Sequence, residues 1–302
     1  MTADVREALR RLSAFGERLP VEPERDADAL RRAGWTRSDR LADPAAWPEI
    51  ARRYGRRTMG IDRLAPAASC ALQGYAGRVA GATVGVWAQT GALLDLAHDA
   101  VWVRLLDGRV RGVAVPDARV RATGASVDAV ADELLLRHLA PILEASRTVS
   151  RLRPRVLWGN VAAACAGAFG TIHRALDPDA RPRLRALADA FLSATAWPHD
   201  ELVALHRIDE HPDALPHERR TCCLMRLSAK GEECASCERL APEERDRRLR
   251  AAAAAAVPVP SLPADPRVLA AAAVVAPPLA LPVTAHPTPA PPSGPDRTSR
   301  SR

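Results

Sequence analysis

Residues 219–240 read RRTCCLMRLSAKGEECASCERL, and they gather four of the chain's six cysteines, Cys222, Cys223, Cys234 and Cys237, into one short run. Four thiols this close point to a metal or cluster site. Three readings compete. A Cys222–Cys223 disulfide would be strained, because adjacent Cα atoms lie about 3.8 Å apart, below the usual span of a bridge. Structural zinc suits Cys234-x-x-Cys237 but not the adjacent pair, since zinc ligands in a pair are usually separated by two to four residues. Neighbouring side chains leave the backbone on different sides and converge poorly on one tetrahedral ion. A two-iron, two-sulfur cluster is a wider target for diverging thiolates. All-thiolate ligation suits zinc and iron–sulfur alike, so spacing favours the cluster without closing the zinc alternative.

Two upstream segments, SCALQGYAGRVAG (69–81) and PRVLWGNVAAACAG (154–167), carry Gln-Gly-Tyr and Leu-Trp-Gly-Asn-Val stretches in the same order before the cysteine run. Together the three segments resemble the FhuF-like ferric siderophore reductase family over roughly residues 60–240. That resemblance implies a [2Fe-2S] cluster on Cys222, Cys223, Cys234 and Cys237. It also implies cytoplasmic, one-electron reduction of Fe(III) held by a hydroxamate-type siderophore. All-cysteine ligation would keep the cluster potential low. No flavin or nicotinamide fingerprint is visible, so the electron is expected from a ferredoxin-like or flavoprotein donor.

The chain has 302 residues and a net charge of +7, but 42 of its 43 basic residues are arginines scattered along its length. Basic blocks interleaved with aromatics are missing, which argues against nucleic acid as a partner. The opening MTADVREALRRL lacks an apolar signal core, consistent with the cytoplasmic expectation. From Ala251 onward there are twelve prolines and no aromatic residue. This composition reads as a disordered or extended tail. Its apolar stretch Val268–Val283 is short for a membrane span and broken by Pro277-Pro278.

The expected fold is α+β: a predominantly helical single domain with a small antiparallel β-hairpin and a C-terminal cluster-binding segment. The divisions are 1–60, an N-terminal helical region; 61–215, the helical core; 216–247, the cysteine segment; and 248–302, the tail. The cysteine segment reads as an appendage to the core. Helical spacing marks residues 2–17, and a short helix is expected near 43–54. A helix opening near Pro66 is apolar on nearly every face as far as Leu94, as buried helices are. A membrane span is the sharper alternative, disfavoured by Gln73 and Arg78. Gly77, Gly81 and Gly85 keep one side of that helix small for a close neighbour. VWVRLLDGRVRGVAV (101–115) alternates about Asp107-Gly108 and predicts a hairpin. One continuous helix is expected over 126–144 behind Ser126 as N-cap, with others from Pro154 and over 180–196.

Cys70 and Cys165 read as buried small hydrophobes. His206, His211 and His217 read as loop histidines, one of which could lie near the cysteines. Arg219, Arg220 and Arg226 are either surface arginines or charges that tune a cluster. Trp158, Gly159 and Asn160 fill core or line a siderophore pocket. Arg78 needs a partner if buried. Two other function classes stay open: a siderophore-biosynthesis accessory or binding protein, and a zinc-stapled interaction module without redox activity.

Overall fold

The computed structural model describes residues 3–22, 26–116 and 119–267. Two long helices form its axis, α5 (Leu64–Thr90) and α8 (Pro154–Ala175). Both are rich in Ala, Gly and Val and are buried along most of their length. Small side chains let the two backbones approach closely. Against α5 packs α1 (Ala3–Ser13), whose Val5, Leu9 and Leu12 recur at helical spacing and are fully buried. A Cβ at Gly85 would stand 2.6 Å from a Leu12 methyl, so the small face of α5 receives the N-terminal helix. Residues of the 1–60 region thereby join the same hydrophobic core as α5 and α8.

Between α1 and α5 lie α2 (Ala27–Arg32), α3 (Asp39–Ala42) and α4 (Trp47–Tyr54). The predicted hairpin forms as β4 (Trp102–Leu106) and β5 (Arg109–Ala114). Its turn residues Asp107 and Gly108 both have positive φ, 54° and 73°, as the two-residue turn between twisted strands requires. The hairpin is the centre of a four-stranded sheet. In it β1 (Val21–Glu22) runs parallel to β5, and β2 (Thr36–Arg37) antiparallel to β4.

Three boundaries differ from the sequence expectation. α5 stops at Thr90, where Gly91 adopts the left-handed conformation and returns its amide to Trp87. The next residues become β3 (Ala92–Leu94), paired antiparallel with β6 (Val120–Thr123). The single helix over 126–144 is instead α6 (Val127–Ala131), a π-helical stretch Asp132–Leu139, and α7 (Ala140–Ser150). Pro141 lacks an amide hydrogen and its ring crowds the preceding turn, which disturbs the regular ladder. Ser126 does cap the start, its hydroxyl accepting from Ala129 N at 3.2 Å. The C-terminal region is the third. α9 (Arg181–Leu192) precedes a two-stranded sheet of β7 (Val203–Leu205) and β8 (His217–Arg219), and α10 spans Pro242–Ala254.

The tail expected from 248 thus begins as helix, because its alanine run favours helix over extended chain. Beyond α10, Leu262 is buried and bridges to Leu176, and the Asp265 amide donates to Ala88 O at 2.9 Å. Val268–Val283 and the rest of the tail lie outside the described residues. Among the described residues, no helix is long and apolar enough to cross a membrane.

A buried polar network joins α5 to the π-helical stretch. His138 is fully enclosed: the Tyr75 hydroxyl donates to its Nε2 at 2.6 Å, and its Nδ1–H donates to the Leu96 carbonyl at 2.6 Å. Burial, with His98 adding to it, pushes the His138 pKa down to about 3. An unfolded imidazole titrates near about 6.5. Between the two values the unfolded chain binds the extra proton, so this stabilisation is complete above the upper value and is lost as pH falls toward the lower. Urea midpoints are expected to drop from about pH 7 to about pH 4, with a flatter profile in His138→Gln.

Candidate metal centre and adjoining cleft

The cysteine segment follows directly from β8. At its start, Arg219 is 2% exposed despite its charge. Its guanidinium is satisfied on three sides: Nε donates to Thr221 O at 3.1 Å, Nη1 to Gln73 Oε1 at 3.2 Å, and Nη2 to Asn160 Oδ1. Asn160 in turn donates from Nδ2 to Ser69, and Ser69 Oγ donates to the Cys223 carbonyl at 3.4 Å. The Cys70 thiol donates to the same carbonyl at 3.3 Å. α5, α8 and the cysteine segment therefore share one hydrogen-bonded chain. The segment is seated on the core, not appended to it.

Close approach makes this possible. A Cβ at Gly159 would overlap the side chain of Thr221, so only glycine lets the segment descend onto α8 here. On the outer side Glu218, itself buried, meets Arg245 of α10 at 2.5 Å, Arg220 at 3.0 Å and His206 at 2.9 Å. Arg248 of α10 also donates to the Glu233 carbonyl at 3.2 Å. α10 clamps both ends of the segment.

All four cysteines of the run are free thiols; Cys223 and Cys237 are buried, Cys222 and Cys234 partly so. Leu224, with φ 68°, turns the chain so that its own amide donates to Cys222 Sγ and the next, from Met225, to Cys223 Sγ, each at 3.4 Å. Amide donors on sulfur stabilise thiolate. The Cys223 and Cys234 side chains are hydrogen-bonded to each other. That bond, with Arg219 adding to it against the cost of burial, draws the Cys223 thiol down. Cys234 is pushed up as the other member of the pair. Burial, with the charges of Cys222 and Cys223, also raises Cys237. The four thiols are thus electrostatic neighbours, drawn from both halves of the run. Among the described residues, no three His, Cys, Asp or Glu side chains surround one point as ligands of a single ion. Four free thiols with amide donors on two of the sulfurs are a donor set that fits an iron–sulfur cluster.

Cys223 and Cys234 form part of the wall of a cleft of ≈ 410 Å³. Tyr54, Gln73 and Arg78 line it from the N-terminal half, and His217 and Arg219 from β8. His217 is therefore no loop histidine: it sits on a strand, and burial before all else lowers its pKa to about 4. His206 holds Glu218, while His211 lies in a turn away from the cleft. Arg219 is not a surface arginine; Arg220 is exposed, and Arg226 is half-buried with no partner for its Nε. Trp158 packs edge-on against Trp197 in the core, their centroids 5.9 Å apart. Cys165 is buried as expected, but Cys70 joins the cleft wall. Tyr54 carries no sequence signal as a site residue, and Gln73 shows in the sequence only as the Gln of the Gln-Gly-Tyr stretch and a polar residue on an apolar helix.

Arg219→Met leaves the Asn160 and Gln73 carbonyls unanswered and is expected to cost about 3 kcal/mol of stability, measured by urea denaturation. Gly159→Ala should loosen the cysteine segment without unfolding α5 and α8. Faster amide exchange confined to residues after Arg219 would check this.

No curated protein matches the chain. Residues 72–215, from within α5 to just before β8, match the family model described as ferric iron reductase FhuF-like transporter. The matched region supplies Gln73, Arg78, Asn160 and the two-helix axis on which the cysteine segment rests. Over that region, a little under half of its length, the chain is similar to the FhuF-like ferric iron reductase family.

Proposed function

We propose that this protein is a cytoplasmic ferric-siderophore reductase acting on hydroxamate-type chelates. The observation that carries the reading is the cleft itself, which brings Cys223 and Cys234 to the same wall as the polar side chains Gln73, Arg78 and His217. The likeness of residues 72–215 to the ferric iron reductase family model supports the reaction class, ferric iron reduction.

Cys222, Cys223, Cys234 and Cys237 would hold a [2Fe-2S] cluster, which supplies a one-electron donor when bound. The chain's own residues do the rest. Arg219 and the two sulfur-directed amides place positive charge and donors beside the sulfurs, favouring the more negative, reduced state. Gln73, Arg78 and His217 offer donors toward a chelate entering the cleft. Tyr54 closes one side; burial, more than any neighbour, raises its pKa to about 12, so it stays a neutral hydrogen-bond donor at working pH. The substrate chemistry then follows from charge. Hydroxamate oxygens are hard ligands that hold Fe(III) strongly. One electron from a ferredoxin-like or flavoprotein donor gives Fe(II), whose bonds to those oxygens are weaker, and the iron passes to other ligands.

The test is protein purified without oxygen. A brown sample with broad visible absorption, bleached by dithionite, and with about two irons per chain is expected. Reduced protein mixed with a ferric trihydroxamate and an Fe(II) chelator should give the coloured Fe(II) complex. Each of Cys222→Ser, Cys223→Ser, Cys234→Ser and Cys237→Ser should lose iron and turnover together. A colourless protein with stoichiometric zinc would overturn the reading.

A further inference from the structure

Arg78 has an unusual position. It stands on the otherwise apolar helix α5, half-buried, and its guanidinium is only partly used. One Nη donates to Gly74 O at 2.9 Å, within its own helix. Its Nε is buried and has no hydrogen-bond partner. An unanswered buried donor is costly, and no carboxylate of the described residues is hydrogen-bonded to it.

The same side chain belongs to two cavities. One is the cleft of ≈ 410 Å³ with Cys223 and Cys234 in its wall. The other, of ≈ 370 Å³, lies against the hairpin, where Arg104 and Arg111 line it beside Leu106. Leu106 is 53% exposed, a large apolar side chain left uncovered. The acid of this outer cavity is Glu17, highly exposed and 3.6 Å from Arg111. Arg104 and Arg109 have no ion pair among the described residues. Arginines therefore line the outer cavity and the cleft alike, and Arg78 is common to both.

We propose that this groove selects ferric chelates that carry a free carboxylate, with Arg78 as the residue that grips it. The inference rests on the reductase reading and narrows it from hydroxamates in general to those whose ferric complex is an anion. A guanidinium matches a carboxylate with paired hydrogen bonds, and Gly74 O occupies only one of the Arg78 nitrogens. Burial, followed by the nearby Arg109 and Arg111, works against the charge on Arg78, and a bound anion offsets both effects. Arg104 and Arg111 draw the anion in from solvent. Leu106 offers a contact for the apolar arms of the chelator. An acidic donor protein is a poorer fit, because the unsatisfied donor is recessed and a protein surface would meet only the exposed arginines of the hairpin.

Gallium(III) replaces Fe(III) in such chelates and is not reduced, so binding can be read apart from turnover. The full-length protein, purified without oxygen, is titrated calorimetrically with two gallium complexes. One chelator is a citrate-based dihydroxamate whose complex keeps net negative charge; the other is a neutral cyclic trihydroxamate. The anionic complex is expected to bind at least about tenfold more tightly, with an advantage that shrinks as salt rises. Arg78→Gln should weaken the anionic complex at least about fivefold more than the neutral one, so that the advantage falls away. Arg104→Gln, at an exposed strand position, should narrow the advantage in part, and decides the matter if the Arg78 variant does not fold. Equal affinity for both complexes, or equal loss for both in Arg78→Gln, would overturn the proposal. So would normal chelate binding in Arg78→Gln with slowed reduction by an acidic donor protein. If the gallium preference holds but the ferric complexes are not reduced by the dithionite-treated protein, the reductase reading falls and the anion site stands. If both ferric complexes are reduced with no preference between them, the site falls and the reductase reading stands.

Discussion

The buried guanidinium of Arg219 is the constraint on which the rest depends. A charge removed from water is tolerable only when each of its donors is answered. Here the answers come from Gln73 on α5, Asn160 on α8 and the carbonyl of Thr221. These three contacts fix the height and direction at which the chain enters the cysteine run. If they hold, Cys223 faces the cleft and its carbonyl receives Ser69 and Cys70. Without them the cysteines would be a tethered loop whose thiols could meet only by chance.

The two central helices serve this arrangement through what they lack. Gly159 leaves room for Thr221, and Gly85 leaves room for Leu12. Small residues thus bring the N-terminal helix to one end of α5 and the cysteine segment to the side of α8. Of the polar side chains on these helices, a few sit where the segment lands. Gln73, Arg78 and Asn160 would each be a flaw in a purely structural core. Two of them are answered by Arg219, and Arg78 is left with an open donor beside the cleft. Gln89 Oε1 near the other end of α5 is also unanswered, so what marks Arg78 is an open donor beside the cleft and not the open donor alone. α10 and Glu218 complete the mounting from outside, so the thiols are held between a rigid axis and a clamp of ion pairs.

Local patterns in the sequence determined much of this. The hairpin about Asp107-Gly108, the cap at Ser126, the buried character of the helix through Gly77, Gly81 and Gly85, and the grouping of four cysteines all follow from neighbours in the chain. Such signals rest on backbone preferences and on side-chain periods of two or 3.6 residues. The strand at Ala92–Leu94 and the docking of Leu262 were decided by distant partners. Propensity yields to packing in such places.

Tertiary structure alone decided the site. The cysteines declare their chemistry by type and spacing, since four thiols in one run have few other uses. What the run faces is set by residues up to 154 positions away, as with Ser69 and the Cys223 carbonyl. Arg219 and His217 look in sequence like an ordinary surface arginine and a loop histidine, because burial is a property of the whole fold and leaves no mark on immediate neighbours. Arg78 is visible as an odd charge on an apolar helix. Only the folded molecule distinguishes a paired arginine from one whose buried Nε–H has no acceptor, because a hydrogen-bond partner is a matter of distance in space.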